Sequence, residues 1–326
     1  MEEKLKKICC IGGIDADIIC SPVPAFPPMG KGITLDSMRF TIGGCAGNTA
    51  LDLARLGVGS ILFCKLGEDQ MGRSVLKELM DVGVDVRGIH LDTEVETGVS
   101  IVMVDPVSGE RTFFYTPFSS TYFESRDIDL EIADESDIVF VGGALQLERF
   151  DGFPCAAFLR RARERGQITA MDTGWDTTGR WLPSIQAALP FVDFFMPSFD
   201  EAVELAGGER DPEAMARFFQ SLGVANVVIK MGKKGAFVRD ALGSMFIAPA
   251  YSGVKAVDTT GAGDSFCAGF LTGLELGYDL KGCAVLANAV ASFCVQAHSA
   301  YGGIPPLSDV LAFKERQEHD YYIELL

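Results

Sequence analysis

Residues 258–270 read DTTGAGDSFCAGF and run straight into LTGLELG at 271–277, a stretch whose apolar residues have helical spacing. Gly261, Ala262 and Gly263 carry almost no side chain, so their backbone N–H groups are free to point into a cavity. The N-terminal end of a helix attracts negative charge, so this loop-to-helix junction predicts a site for an anion such as a phosphate group. Asp264 stands at the start of that helix, placed to take the proton of an attacking hydroxyl as a phosphoryl group is transferred. The plain alternative is a carboxylate that only complements the helix dipole in a glycine-rich loop. The composition of all seven positions, 258–264, favours the first reading.

Upstream, short β-branched runs alternate with helical patterns. Strands are expected at 8–11, 61–64, 138–141, 168–171, 194–196 and 227–229, several of them apolar on both faces, as buried parallel strands are. Helices are expected at 48–56, 72–82, 153–165 and 212–222, with Gly57, Gly83, Gly166 and Gly223 as stop signals. The alternation predicts an α/β fold: a doubly wound, mostly parallel sheet with helices on both faces. Residues 98–115, GVSIVMVDPVSGERTFFY, break the pattern and read as two strands around a turn at 106–109. Val99, Ile101 and Met103 line one face of the first strand, Val102 and Val104 the other, so both faces need cover. Residues 32–41 also read as extended. Together these segments predict a small β-sheet lid, with one face toward a ligand and the other against a second subunit.

Asp15 and Asp17, in the pattern I-D-A-D-I, fall on one face of an extended segment. Carboxylates in that position are a natural clamp for vicinal hydroxyls, with a pair of solvated loop charges as the alternative.

The 326 residues carry a formal net charge of −17, which argues against nucleic-acid and anionic-membrane partners. The nine cysteines form no C-x-x-C pair and fit reduced, buried thiols in the cytoplasm better than a disulfide framework or zinc site. His90, His298 and His319 are too dispersed to suggest a metal cluster. No stretch approaches the roughly 18 apolar residues of a membrane span. Neither a G-x-x-x-x-G-K-[ST] loop nor a G-x-G-x-x-G after a strand occurs, which disfavours P-loop and dinucleotide readings.

A second motif, GGCAGN at 43–48, leads into a helix ending in LARLG. With 258–270 it resembles the ribokinase-like, or PfkB, carbohydrate kinase family, in the family's order and from about residue 8 to about residue 305. The resemblance implies one kinase domain over 1–326, with lid segments at about 15–42 and 97–118. It implies an ATP-dependent, Mg²⁺-assisted phosphorylation of a hydroxyl on a sugar or sugar-like molecule. Asp264 becomes the catalytic base, and Gly261, Ala262 and Gly263 the anion hole. Gly43 and Gly44 lie against the substrate, whose hydroxyls bond Asn48, Asp15, Asp17 and Glu148.

For the nucleotide, VVIKMGKKGAF at 227–237 resembles the strand and loop beside ATP, giving Lys230, Gly232 and Gly235; Asn288 matches a position near the adenine. Ser198 and Glu201 resemble an N-x-x-E motif whose Glu organises Mg²⁺ through water, although S-x-x-E is also a plain capping box. Asp258 and Thr260 match a monovalent-cation position, implying K⁺. The chain departs from ribokinases at Cys45 (Lys there), Ser198 (Asn), Lys230 (Thr) and the loop 296–300. A cytoplasmic homodimer joined through the lids is expected. A nucleoside kinase and a phosphosugar kinase using Arg39 and Arg111 stay open, as does a non-catalytic sugar-binding regulator. The acidic pocket floor favours an uncharged polyol acceptor.

Overall fold

A computed structural model describes residues 7–107, 111–116, 119–297, 301–317 and 323–326, without the side chains of Arg111 and Phe113. In chain order the strands are β1 (Lys7–Gly12), β2 (Asp15–Ser21), β3 (Ser37–Gly43), β4 (Ser60–Gly67), β5 (Ile89–Asp92), β6 (Val99–Val104), β7 (Arg111–Tyr115), β8 (Ser136–Ala144), β9 (Ile168–Thr173), β10 (Phe194–Phe195), β11 (Asn226–Lys230), β12 (Ala236–Arg239), β13 (Met245–Ala248) and β14 (Glu324–Leu325). The helices are α1 (Cys45–Leu56), α2 (Gln70–Val82), α3 (Leu130–Ala133), α4 (Phe153–Glu164), α5 (Leu182–Ile185), α6 (Phe199–Leu205), α7 (Pro212–Ser221), α8 (Ala262–Glu275), α9 (Leu280–Cys294) and α10 (Leu307–Gln317).

Among the described residues, ten strands form one sheet in the order β14-β13-β12-β11-β10-β9-β8-β1-β4-β5. From β11 to β5 every pairing is parallel; β12, β13 and β14 extend the sheet antiparallel. Alternate residues of one strand feed two different cores. Ile8 and Cys10 pack with Leu51 of α1, Phe270 of α8 and Val290 of α9, whereas Cys9 and Ile11 pack with Leu159 of α4 and Phe219 of α7. Helices therefore cover both faces, and the apolar-on-both-faces pattern of the sequence follows from that burial.

The expected strands are all present, and the helix limits move by a few residues. α1 starts at Cys45 rather than 48, because Gly44 caps it without a side-chain hydrogen bond and so leaves no capping residue to read. Gly57 and Gly83 end α1 and α2 in the left-handed conformation, φ 83° and 102°, where a side chain would be strained.

Strands β2, β3, β6 and β7 form a separate sheet in the order β3-β2-β6-β7. The turn expected at 106–109 falls partly outside the described residues, and the extended segment expected at 32–41 becomes a strand only from Ser37. Register puts Asp15, Asp17, Thr41, Ser100 and Val102 on one face, and Ile18, Met38, Phe40, Ile101 and Phe114 on the other. The second face carries the exposed apolar surface: Met38 is 65% exposed and Phe114 59%, whereas Val102 is buried. Val102, on one of the two faces that needed cover, has it within the chain. The outward face is that of Ile101.

Candidate active site

α8 begins where the glycine-rich loop ends, and it packs against α1. Polar contacts zip the two helices together. Asn48 Nδ2 donates to Asp264 Oδ2 at 2.8 Å, Thr49 Oγ1 to the Asp264 carbonyl at 3.4 Å, and Ser265 Oγ to the buried Asp52 Oδ2 at 2.5 Å. Asn48 and Asp52 share a face of α1 by their i, i+4 spacing. Burial pushes the Asp264 carboxyl up to about 6, against the opposing pull of the Asn48 amide, the Lys230 ammonium and the Cys45 thiol. A carboxyl so placed is ionised at neutral pH yet basic enough to take a proton.

On one side of Asp264 lie Asp15 and Asp17. Burial, and next the neighbouring Asp17, push the Asp15 carboxyl well above the usual range, with Asp264 adding to the effect. Ser100 Oγ donates to Asp15 Oδ2 at 3.5 Å. A Cβ on Gly43 would stand 2.7 Å from Asp17 Oδ2 and 2.8 Å from Asp15 Oδ1, so only glycine leaves room for both carboxylates. At Gly44 a Cβ would meet the Gly13 carbonyl oxygen at 2.5 Å. Asn48 is buried, and its Oδ1 has no hydrogen-bond partner among the described residues.

On the other side, a cavity of about 620 Å³ runs along the carboxyl ends of the strands. Gly261, Ala262, Gly263 and Asp264 line it at the start of α8, facing Ser198, Glu201, Lys230, Gly232, Gly235 and Asn288. Lys230 Nζ donates to Asp172 Oδ2 at 2.5 Å. Glu201 Oε2 accepts from the Ser198 N–H at 2.8 Å and from Thr173 Oγ1 at 3.0 Å, while Ser198 Oγ accepts the Glu201 N–H. The capping box is thus formed, and the same carboxylate borders the cavity. Asn288 Nδ2 donates to the Ala248 and Pro249 carbonyls, 3.0 Å each, and fixes the wall formed by Ala250 and Tyr251. Asp258 Oδ1 accepts the Thr260 N–H at 2.8 Å, so that carboxylate braces the glycine-rich loop before α8.

Glu148 is not brought into this group. It is exposed on the turn after β8, and the side chain of that segment that lines the cavity is Gln146. Leu145, at φ 81°, turns the chain there, and Gln146 Nε2 donates to the Trp175 carbonyl at 3.3 Å. Asp52, Gln146, Asp172 and Trp175 were not singled out from the sequence. Only Asp52 left a signal, its helical spacing from Asn48. Of the two arginines considered for a second phosphate, Arg39 is exposed and bonds Ser37, and the Arg111 side chain lies outside the described residues.

Known proteins match the chain over most of their length. The chain is 28% identical over 287 residues to the 2-dehydro-3-deoxygluconokinase of Bacillus subtilis, covering 85% of this chain and 87% of that one. It is 27% identical over 319 residues to a nucleoside kinase of Methanocaldococcus jannaschii, covering 97% and 99%. The structure of Arabidopsis thaliana ribokinase complexed with ribose and ATP superposes with a TM-score of 0.83 at 24% identity, covering 96% and 99%. Residues 5–306 match the pfkB family carbohydrate kinase, a match that spans nearly the whole two-sheet fold, and the chain belongs to that family.

Proposed function

We propose that the protein transfers the γ-phosphoryl group of ATP to a hydroxyl of an uncharged polyol, a sugar or a nucleoside, with Asp264 as general base. One observation carries this reading: the Asp264 carboxylate is fixed by Asn48 between the glycine anion loop and the Asp15/Asp17 pair. The acceptor hydroxyl oxygen bonds to the γ-phosphorus as the bond from phosphorus to the β,γ-bridging oxygen breaks. That electron pair leaves with ADP, and the hydroxyl proton goes to Asp264. The N–H groups of Gly261 and Gly263 face the transferring group, where fixed donors stabilise growing charge, while the Ala262 N–H, expected there too, makes a long 3.3 Å bond to the Thr259 carbonyl that a phosphoryl oxygen would have to replace.

Asp15, Asp17 and Asn48 hold the acceptor's other hydroxyls, with Gly43 and Gly44 giving close backbone approach; the unpartnered Asn48 Oδ1 is an acceptor for one of them. Lys230, Gly232, Gly235, Ser198 and Asn288 border the nucleotide. Glu201 borders the same cavity and presents the carboxylate that would organise Mg²⁺ through water. A Mg²⁺ held there through water would supply charge neutralisation at the phosphates, and Glu201 would orient its water shell. The segments 15–42 and 97–118 act as the lid, whose closure excludes water and limits ATP hydrolysis.

The outward face of the lid, with Met38, Phe40, Ile101 and Phe114, joins a second copy in a homodimer. All nine cysteines are free thiols, which suits the cytoplasm, and no helix among the described residues is long and apolar enough to cross a membrane. An ADP-release assay over sugars, nucleosides and phosphosugars tests the function. Acceptor-dependent ADP and a phosphorylated product are expected; an acceptor that binds but is never turned over would favour the sugar-binding regulator.

A further inference from the structure

Lys230 ends β11, and its ammonium lies 3.3 Å from where a Cβ on Gly263 would stand, directly beside the anion loop. It donates to Asp172 Oδ2 at 2.5 Å and reaches Cys267 Sγ at 3.8 Å. An ammonium has three N–H groups. The third has no protein acceptor among the described residues, and the side chain keeps 11% of its surface open on the cavity wall. Asp172, by contrast, is 2% exposed and also accepts the Thr173 N–H, so the anchor of the pair is rigid. Burial works against the charged lysine, but Asp172, Cys267 and Glu201 more than offset it and keep the ammonium protonated.

Two of the oxygens that the family resemblance assigns to a monovalent cation already have donors, and residues 298–300 of the matching loop lie outside the described residues. Asp258 Oδ1 takes the Thr260 N–H, and the Thr260 carbonyl takes the Cys294 thiol at 3.3 Å. A dissolved cation would have to compete with that thiol, whereas a tethered one stands on the cavity side of the same loop.

We propose that Lys230 is the anion site's built-in monovalent cation: its ammonium contacts the phosphoryl group in transfer, Asp172 is its positioning residue, and the reaction needs no dissolved K⁺. This rests on the kinase reading above. As the acceptor oxygen replaces the β,γ-bridging oxygen on phosphorus and its proton passes to Asp264, negative charge grows on the phosphoryl oxygens and the departing ADP oxygen. A compact point charge fixed beside Gly263 stabilises that growth without reorganising.

The test compares the purified protein in KCl and in tetramethylammonium chloride at equal ionic strength. Turnover should agree within about twofold, and so should ATP affinity, read from the fluorescence of Trp175 and Trp181, the chain's two tryptophans. Lys230→Met should lower kcat about 100-fold or more, the usual scale for losing one transition-state donor. It should also move the acid limb of the pH profile upward, because the ammonium no longer holds the Asp264 carboxyl down. Asp172→Asn should lower kcat with a smaller change in ATP affinity.

A tenfold or greater loss of wild-type turnover or ATP affinity without K⁺ would overturn the proposal, as would a Lys230→Met variant within threefold of wild-type kcat. The wild-type salt comparison decides the matter even when neither variant folds. Absence of turnover with every acceptor in both salts would instead sink the kinase reading, and the ATP titrations would still decide the cation question.

Discussion

At the scale of single residues, Asp264 holds a proton too tightly for an ordinary aspartate and too loosely to be neutral at physiological pH. With its carboxyl pushed up to about 6, chiefly by burial, the ionised form that accepts a proton predominates above that value and is lost below it. The profile of kcat/KM should therefore fall about tenfold per pH unit below pH 6 and level off above. A midpoint near 4, the ordinary aspartate value, would remove the burial argument. The same shift has a cost in stability. Between its unfolded value and about 6 the native carboxyl holds the proton more tightly than the unfolded one, so stability falls as pH rises through that window.

The acceptor side yields a second residue-scale prediction. A phosphate placed against the Asp15/Asp17 pair would meet a repulsion on the order of 1–4 kcal/mol from each carboxylate that is ionised, depending on screening. A sugar should then exceed its own monophosphate in kcat/KM, and Asp17→Asn should narrow the gap while raising KM for the sugar. A monophosphate that proves the better substrate would point to the phosphosugar alternative instead.

At the scale of elements, the account depends on α8 being held against α1. Breaking the Ser265–Asp52 contact with Ser265→Ala leaves a buried carboxyl without its donor, at a typical cost of about 1–3 kcal/mol. The melting temperature should drop, and kcat should fall less than for any change at Asp264; a kcat loss as large as that of Asp264→Asn would mean that helix placement, not the base, sets the rate.

Elements also show what the sequence could and could not convey. β1 and β8 were legible because burial on both faces writes an unbroken apolar run. The beginning of α1 was not, since its cap is a glycine. In β6 both faces are apolar, and alternation alone cannot say which of them the rest of the chain covers; only pairing with β2 and β7 does. At the site, Asp264, Asn48 and the glycines sit in contiguous motifs and could be read. Asp172 and Gln146 become neighbours of the cavity only when β8, β9, β10 and β11 lie side by side, and no local pattern marks them. Glu148 is exposed on the turn after β8, and Gln146 is the residue of that turn that lines the cavity.

For the whole molecule, the exposed apolar face of the small sheet predicts a dimer. Sedimentation should give twice the chain mass at micromolar concentration, and Phe40→Asp with Ile101→Asp should give a monomer that still binds ATP, because both residues point away from Asp15 and Asp17. A wild-type monomer would leave that face unexplained.

The central claim, that Asp264 takes the acceptor's proton, is tested most directly by Asp264→Asn measured beside the wild type for kcat, ATP affinity and melting temperature at pH 7. The account predicts a kcat lower by about 10²–10⁴-fold, ATP affinity within a few-fold, and a melting temperature at or above that of the wild type, since a buried charge has been removed. Near-normal turnover in a folded Asp264→Asn protein would contradict it.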